Sequence, residues 1–289
     1  MNAKLQNHIE KLLSKKSKSA STFLWQQVGG GSINTAYKMS CDKCCFFVKI
    51  NSSEVFKNGF KEEVLGLQFL KSNKALVPTV IAEGNFNNAI YLVLEWIEEG
   101  DKSELFWKNF AGQLAILHQQ KNEQFGLSYH NYMGSLFQKN TFHTNFFDFF
   151  IENRLQPQLK LALDKKLLPV GLLSKFENLY KQLPTIFPSE KPCAVHGDLW
   201  SGNFICGNQH NALLIDPAVY FGHREIDLAM STLFGGFSDL FYNEYQAIYP
   251  VEKGFNFRKD IYNLYPLLIH LNLFGTSYLG GINRILLPF

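Results

Sequence analysis

The eight residues from His196 to Asn203, HGDLWSGN, constrain what this chain can fold into more than any other stretch of its sequence. Asp198 and Asn203 both lie in this stretch, and its glycines allow a tight loop that turns the two side chains toward one point. Asp216 follows at the end of a β-prone run, residues 212–215. Two carboxylates and an amide that converge in this way indicate a bound cation, because like charges repel at close range.

The spacing H-x-D-x-x-x-x-N is that of a kinase catalytic loop, and the second aspartate stands where protein kinases place the metal-binding residue of D-F-G. The pattern predicts that Asp198 accepts the proton of a substrate hydroxyl and that Asn203 and Asp216 bind Mg²⁺. Asp198 taken alone is equally typical of a turn or a helix cap. The paired spacing and the strand before Asp216 favour the catalytic interpretation, since a cap requires neither.

Two segments near the N-terminus are predicted to bind a nucleotide. The backbone N–H groups of Gly29-Gly30-Gly31-Ser32, between two strand-like runs, could approach phosphates, although a hairpin turn requires the same residues. The run YLVLEWI is either a simple buried strand or the place where main-chain groups bind adenine. We assign Glu95 and Ile97 of this run to the nucleotide.

Lys49 stands in an apolar run, FFVKI, as the lysine of V-A-I-K does in protein kinases. A single lysine in a strand is also common on a solvated strand face. The helical pattern that follows carries Glu62 and Glu63, and either could pair with Lys49 and hold it over the α- and β-phosphates. Glu63 lies closer than Glu62 to the apolar face defined by Phe60 and Leu67, so we predict Glu63 as the partner.

The type of secondary structure that the sequence predicts changes once along the chain. Short β-prone runs alternate with turn signals up to about residue 96, interrupted by one helical pattern, and long helical segments follow. We therefore predict an α+β, bilobal protein-kinase-like fold. A nucleotide-binding lobe at residues 1–97 would hold a small antiparallel sheet with one helix. A larger, mainly helical lobe at residues 98–289 would carry the catalytic loop and the acceptor site.

Composition limits the classes of partner. A chain of 289 residues with 46% apolar residues can bury a sizeable core. Its net charge of +3 comes from scattered lysines and predicts no nucleic-acid partner. The apolar runs are too short to span a bilayer, and the N-terminus predicts a short amphipathic helix, unlike a signal peptide. We expect a cytoplasmic protein without a membrane partner, as a monomer or a weak dimer.

The five cysteines are an odd number in a chain too large to depend on disulfides, and they predict a reducing compartment. Cys41 and Cys44 have the C-x-x-C spacing of metal ligands, but no second such pair accompanies them, so a position in a turn between strands is favoured. For Cys41, Cys44 and Cys45, Lys43 is the one neighbour that could activate a thiol.

Beyond these motifs, the chain resembles the fructosamine (ketosamine) kinase family, relatives of the aminoglycoside phosphotransferases, along most of its length. The similar stretches are VGGGSINTAY, FKEEVLGLQFL, YLVLEWIE, LAILH, FGL, QKNTFHTNFFDFFIENRLQPQL, VHGDLWSGN, LIDPAVYFGHREIDLAM and LFGGF. The resemblance implies ATP and Mg²⁺ as cosubstrates and transfer of the γ-phosphoryl group to the 3-hydroxyl of a ketoamine, either a small molecule or protein-bound. The phosphorylated adduct then tends to fall apart, so this family is regarded as a protein deglycation system.

The resemblance also concerns single residues. Asn34 lies in the matching stretch VGGGSINTAY and is assigned to the nucleotide together with the glycines. Asp227 resembles the residue that anchors the catalytic loop in the family. Trp200, two residues past Asp198, could stack on the face of the sugar or anchor the loop in the core, and both interpretations stay open. Ser32 stands where several members carry a cysteine, which excludes a disulfide at that position.

Two other functions are compatible with parts of this sequence, a kinase with a different acceptor and a nucleotide-binding scaffold. The same chemistry could serve an aminoglycoside or a choline-type acceptor, but such cations usually meet acidic clusters, and the helical lobe has no obvious acidic run. A nucleotide-binding scaffold without catalysis would usually lack the base, a metal ligand or the lysine, and all are present here. The ketoamine kinase hypothesis is therefore preferred.

Overall fold

The computed structural model describes residues 2–17, 22–29, 34–42, 44–54 and 59–289. The chain divides into two compact units, Met1–Leu65 with Pro78–Glu98 and Gly66–Val77 with Glu99–Phe289. Residues 66–77 thus belong to the second unit, although they precede the predicted boundary. The division of functions at residue 97 stays a prediction. None of the helices in the described ranges is long and apolar enough to cross a membrane.

The first unit combines helices with one antiparallel sheet. Its elements are α1 (Ala3–Ser17), β1 (Leu24–Val28), β2 (Thr35–Cys41), β3 (Cys44–Ser52), the start of α2 (Lys61–Ser72), β4 (Val80–Phe86) and β5 (Ala89–Glu95). The strands pair in the order β1-β2-β3-β5-β4. Strand β4 was not predicted from the sequence. A register shift between Val80 and Ala82 breaks its alternation, and residues such as Gly84 and Asn85 have low strand propensity.

The core of the first unit lies between α1 and one face of this sheet. Leu5, Ile9 and Leu13 recur every fourth residue and are buried, as expected for an amphipathic helix. They belong to one apolar cluster with Val48 of β3. Since side chains alternate along a strand, Lys49 projects from the opposite face of the sheet. The apolar pattern of β3 therefore sends Lys49 away from α1.

The second unit is mainly helical, and the fold as a whole is α+β as predicted. Its helices are α3 (Glu104–His118), α4 (Phe146–Phe150), α5 (Gln156–Asp164), α6 (Leu173–Ile186), α7 (Glu225–Met230), α8 (Asp239–Ile248), α9 (Phe255–Phe274) and α10 (Leu279–Ile285), with a π-helical turn at Ile151–Leu155. Its strands are β6 (Asn131–Met133), β7 (Leu136–Gln138), β8 (Cys193–Val195), β9 (Phe204–Cys206), β10 (Ala212–Leu214) and β11 (Tyr220–Gly222). These strands form three separate two-stranded sheets.

Two of these small sheets position the candidate site. The loop that begins at His196 follows β8 directly, and Asn203 is its last residue before β9. Asp216 lies in the short connection between β10 and β11. Because β8 pairs with β11 and β9 pairs with β10, both connections run between the same two small sheets. The sheet pairing therefore brings the segment around Asp198 close to the segment around Asp216.

The cysteines of the first unit differ from the expectation of free thiols. Cys41 and Cys44 are joined by a disulfide, and their Cα atoms lie 5.1 Å apart. They are directly opposite each other in the pairing of β2 with β3, which places both side chains at the end of one hairpin. Cys45, Cys193 and Cys206 are free. The location of Cys41 and Cys44 in a turn between strands was predicted. The expectation that their thiols are reduced was wrong, because the two residues form a disulfide.

Candidate active site

One buried carboxylate, Asp227 of α7, holds the backbone of the loop. Its Oδ2 accepts a hydrogen bond from His196 N–H at 2.7 Å, and its Oδ1 accepts one from Gly197 N–H at 2.9 Å. His118 lies with Nε2 at 3.1 Å from Asp227 Oδ2 and with Nδ1 at 2.7 Å from the Tyr245 hydroxyl. Burial lowers the pKa of His118, so the imidazole is neutral, donates from Nε2 to Asp227 and accepts from Tyr245. The fold itself therefore sets the position of the loop.

Gly197 has a φ of +83°, in the left-handed region that favours glycine. A Cβ atom at this position would overlap the carbonyl oxygen of Ala218. The N–H of Ala218 donates to the carbonyl of His196 at 2.9 Å, which fixes this close approach. The arginine of the kinase motif H-R-D has no room here, in agreement with the glycine in the sequence.

His196 joins the loop to the end of β10. It is fully buried, its Nε2 donates to the carbonyl of Ile215 at 2.9 Å, and its Nδ1 accepts from Asp198 N–H at 3.2 Å. Burial lowers the pKa of His196, so it stays neutral near pH 7. Because Ile215 immediately precedes Asp216, this imidazole sets the spacing between the two aspartates.

Asp198 and Asn203 are in direct contact. Asn203 Nδ2 donates to Asp198 Oδ2 at 3.0 Å and to the Asp198 carbonyl at 2.8 Å. The surrounding protein desolvates the partly exposed carboxyl group of Asp198, and the negative charge of Asp216 adds to this effect. Together they raise the pKa of Asp198 to about 7. A carboxyl group with a pKa near neutrality is suited to accept a proton from a substrate, since general bases work best near the operating pH.

Asp216 and Asn203 supply the oxygen atoms of a candidate cation site. Asp216 is exposed and has a φ of +52°, a strained conformation of a kind that clusters at functional sites. The Nδ2 atom of Asn203 faces Asp198, so its Oδ1 points away from that carboxylate. Carboxylate and amide oxygens fit Mg²⁺, which commonly takes few protein ligands and completes its shell with phosphate oxygens and water. The described ranges contain no cluster of three or more His, Cys, Asp or Glu residues suited to hold a metal.

Trp200 projects from the same loop. Its ring covers Gly202, where a Cβ atom would overlap the indole. The indole also makes an edge-to-face contact with Phe234, at 5.9 Å between ring centroids, and packs against the apolar core. The ring is partly exposed. It is thus packed on the loop and still presents surface to solvent, which fits both interpretations of this residue.

In the first unit, Lys49 and Glu63 form an ion pair with 2.8 Å between Nζ and Oε1. Both side chains are largely buried, with 7% and 16% of their surface exposed. Glu63 lies in the first turn of α2, and its neighbour Glu62 points roughly 100° away around the helix. The pair orients the ammonium group of Lys49, because a buried charge is stable only with a partner.

The end of β5 is fixed to β4 through Glu95. Its N–H donates to the carbonyl of Thr79 at 3.0 Å, and its carboxylate accepts from Thr79 N–H at 2.9 Å. Trp96 N–H donates to the carbonyl of Cys45 at 3.3 Å. Ile97 follows and is partly exposed. Since the side chain of Glu95 is engaged, a role in adenine binding would fall to its main chain.

The glycine-rich segment is described only at its ends. Gly29 is exposed, and a Cβ atom there would meet nothing within 4 Å. Asn34 accepts a hydrogen bond through Oδ1 from Asn51 Nδ2 at 2.7 Å. The predicted contacts of Gly30, Gly31 and Ser32 lie outside the described residues.

Sequence reasoning missed two features of this site. His118 stands at the end of the matching stretch LAILH, and a polar residue on the buried face of an apolar helix was the signal that could have found it. Phe234 lies beside Trp200, and His270 lies beside Phe234 with 4.6 Å between their ring centroids, although the three residues are far apart in the chain. No local pattern joins these two rings.

The α+β fold, the loop that carries Asp198 and Asn203, and Asp216 after β10 define a phosphotransferase of the protein-kinase-like class. The chain belongs to the fructosamine kinase family, whose model matches residues 4–288. The "Probable ketoamine kinase" of Enterococcus faecium is 40% identical over 91% of this chain and 94% of its own length. The chloroplastic protein-ribulosamine 3-kinase of Arabidopsis thaliana is 35% identical over 90% of this chain and 80% of its own length.

Solved structures agree with this assignment. The crystal structure of a candidate fructosamine-3-kinase from Haemophilus somnus has a TM-score of 0.85 and 30% identity, over 96% of this chain and 95% of that one. The complex of the aminoglycoside phosphotransferase APH(2″)-IIa with gentamicin has a TM-score of 0.65 at 16% identity, over 99% of this chain and 96% of that one. At that identity the second likeness concerns the fold alone.

Proposed function

We propose that this chain is an ATP-dependent ketoamine kinase that phosphorylates the 3-hydroxyl of a ketoamine sugar. The observation that carries the proposal is the Asp198–Asn203 pair, with the pKa of Asp198 raised to about 7, in a chain whose relatives are ketoamine kinases. The acceptor is a ketoamine, either a small molecule or a protein-bound adduct.

Asp198 acts as the general base. It accepts the proton of the sugar hydroxyl as the oxygen attacks phosphorus, and Asn203 keeps the carboxylate oriented through the contact at 3.0 Å. Asn203 and Asp216 would hold Mg²⁺, which neutralises charge on the phosphates when bound. Asp227 and His118 act on the loop backbone and keep Asp198 in place.

The residues of the first unit bind ATP. Lys49, oriented by Glu63, neutralises the α- and β-phosphates. The main chain at Glu95 and Ile97 binds adenine, and Gly29-Gly30-Gly31-Ser32 with Asn34 surrounds the phosphates. These roles follow the kinase pattern, in which catalysis consists mostly of positioning and electrostatic stabilisation.

Trp200 contacts the sugar. Its partly exposed ring is held against Gly202, so it offers a rigid apolar surface two residues from Asp198. Sugar faces carry C–H groups that stack on such rings, and the indole also excludes water from the base. The phosphorylated product is less stable than the ketoamine, because the 3-phosphate can leave as inorganic phosphate and water can then cleave the carbon–nitrogen bond, which releases the free amine.

The test is ATP consumption in the presence of Mg²⁺ with four acceptors, namely a ribulose-lysine adduct, a fructose-lysine adduct, an aminoglycoside and choline. We expect turnover on the ketoamines alone, with one phosphate added at the 3-hydroxyl by NMR. Turnover on the aminoglycoside or choline alone would overturn the substrate assignment and leave the mechanism. Thermal stabilisation by Mg-ATP without any turnover would identify a binding scaffold.

A further inference from the structure

A group of aromatic side chains continues the surface of Trp200. Phe234 contacts Trp200 at 5.9 Å between ring centroids and His270 at 4.6 Å. Tyr278 and Phe274 continue the series, at 5.1 Å and 5.5 Å from His270. Four separate segments of the second unit thus meet in one aromatic surface.

This surface is open to solvent on one side. Phe234 is 39% exposed and Phe274 is 50% exposed, whereas Trp200, His270 and Tyr278 are partly buried. Large exposed aromatic residues are uncommon when they adjoin one another, and contiguous apolar patches usually mark binding sites. The surface begins at the candidate active site, which argues for an occupant that is also held there.

The backbone at Phe234 is strained in a way that favours this exposure. Phe234 has a φ of +54°, and Gly235 and Gly236 follow with φ of +102° and +73°. A left-handed conformation costs a residue with a side chain about 1 kcal/mol, while glycine adopts it freely. Of these three residues, Phe234 alone has a side chain, so its left-handed backbone is strained. The Phe234 side chain lies on the aromatic surface.

We propose that Phe234, His270, Phe274 and Tyr278, here called the aromatic shelf, bind the hydrocarbon chain of the amine that carries the sugar. This inference rests on the proposed function. With the sugar hydroxyl at Asp198 and the sugar face on Trp200, the amine substituent has to leave the site, and the aromatic shelf is the apolar surface that continues from Trp200. The four methylenes of a lysine side chain fit such a surface, and its open edge leaves room for a polypeptide.

The charges of the aromatic shelf distinguish a peptide lysine from free lysine. The Phe side chains carry no charge. His270 donates from Nδ1 to the carbonyl of Pro266 at 2.7 Å, and burial lowers its pKa, so it is neutral as well. Free lysine carries an α-ammonium and an α-carboxylate, which such a surface does not pair. The aromatic shelf therefore selects a lysine adduct whose α-groups are blocked in a peptide.

The test compares acceptors that share one sugar and differ in the amine. We expect kcat/KM to be about eightfold higher for the n-butylamine adduct than for the methylamine adduct, since each half-buried methylene contributes about twofold. The Nα-acetyl-lysine-amide adduct should also exceed the ε-adduct of free lysine. The butyl-to-methyl ratio should fall below about threefold in Phe274→Ala and in Tyr278→Ala, because the apolar surface is lost. A ratio within one preparation does not depend on the folded fraction.

Phe257→Ala is the matched control, because Phe257 lies on the same helix α9 and is also 50% exposed, but packs near Phe289. It should leave the butyl-to-methyl ratio at the wild-type value. A wild-type ratio near one, or a ratio that Phe274→Ala and Tyr278→Ala leave unchanged, would overturn the role of the aromatic shelf while ketoamine turnover upholds the proposed function. Absence of turnover on every ketoamine would overturn the proposed function itself, and the inference with it.

Discussion

The loop around Asp198 and the strand that carries Lys49 hold their functional groups in different ways. In the second unit, Asp227 accepts hydrogen bonds from two backbone N–H groups and His118 supports it, so a buried network fixes the loop. In the first unit, the 2.8 Å ion pair with Glu63 orients the ammonium group of Lys49. A change in the loop anchor should therefore disturb the fold, whereas a change in the ion pair should act on nucleotide use.

The largest effect is expected when the loop keeps its position and loses only its base. Asp198→Asn should lower kcat by about 10² to 10⁴, which is the usual contribution of a general base. Steady-state kinetics with a ketoamine acceptor measure this loss. Because the pKa of Asp198 is raised from 3.8 to about 7, its ionisation costs stability progressively as the pH rises between these two values, and the full cost is present at pH 8. The variant should therefore have a Tm at pH 8 no lower than that of the wild type. Retention of more than a tenth of the wild-type kcat would contradict the assignment of the base.

The next effect concerns the loop anchor and is an effect on stability. In the wild type both carboxylate oxygens of Asp227 accept hydrogen bonds from backbone N–H groups. In Asp227→Asn one of these oxygens is replaced by an NH2 group, which faces an N–H donor and cannot accept its hydrogen bond. The free energy of unfolding should fall by about 2 to 4 kcal/mol, as for other broken buried networks. Urea denaturation measures the difference.

Asp164→Asn is its control, because the Asp164 side chain is 60% exposed in a surface pair with Lys160. It should change stability by less than about 0.5 kcal/mol. Equal losses in Asp227→Asn and Asp164→Asn would mean that the loop is not held by the buried carboxylate.

The same contrast explains what the sequence could predict. The spacing of Asp198 and Asn203 identified the loop because chemistry requires those residue types at that distance. Lys49 was found from its place in an apolar run like that of V-A-I-K, and Glu63 was found from periodicity along a helix. Each of these signals is local.

The rest depends on tertiary contacts that leave no local pattern. His118 and Asp227 are separated by 109 residues and meet only because α3 packs near α7. The Cys41–Cys44 disulfide depends on the hairpin register that puts the two residues opposite each other, whereas the odd cysteine count suggested free thiols. Strand β4 was missed because its register shift interrupts the alternation that marks a strand.

A smaller effect is expected from the ion pair of the first unit. Lys49→Met should lower kcat/KM for Mg-ATP by about 10- to 100-fold, since hydrogen bonds to charged groups contribute about 1.5 to 3 kcal/mol. Glu63→Gln should lower kcat/KM for Mg-ATP less, by about three- to tenfold, because an amide still accepts one hydrogen bond from Lys49. Glu62→Gln tests the choice between the two glutamates. This substitution should change kcat/KM for Mg-ATP by less than about twofold. A larger loss in Glu62→Gln than in Glu63→Gln would reverse that choice.

The smallest effect is a shift of the Asp198 pKa when Mg-ATP binds, seen in the dependence of activity on pH, and it connects Asp198 to Asp216. Asp198 has to be deprotonated to act as a base, so activity should fall as the pH drops through its pKa, to about a tenth of the plateau one unit below it. Without nucleotide, an NMR titration of the Asp198 carboxyl carbon should give a pKa of about 7. Mg²⁺ held by Asp216 would offset the like charge that contributes to this value, so the kinetic pKa at saturating Mg-ATP should lie below 7. The same pKa with and without Mg-ATP would argue that Asp216 holds no metal beside the base, whereas a lower value would show that nucleotide binding activates Asp198.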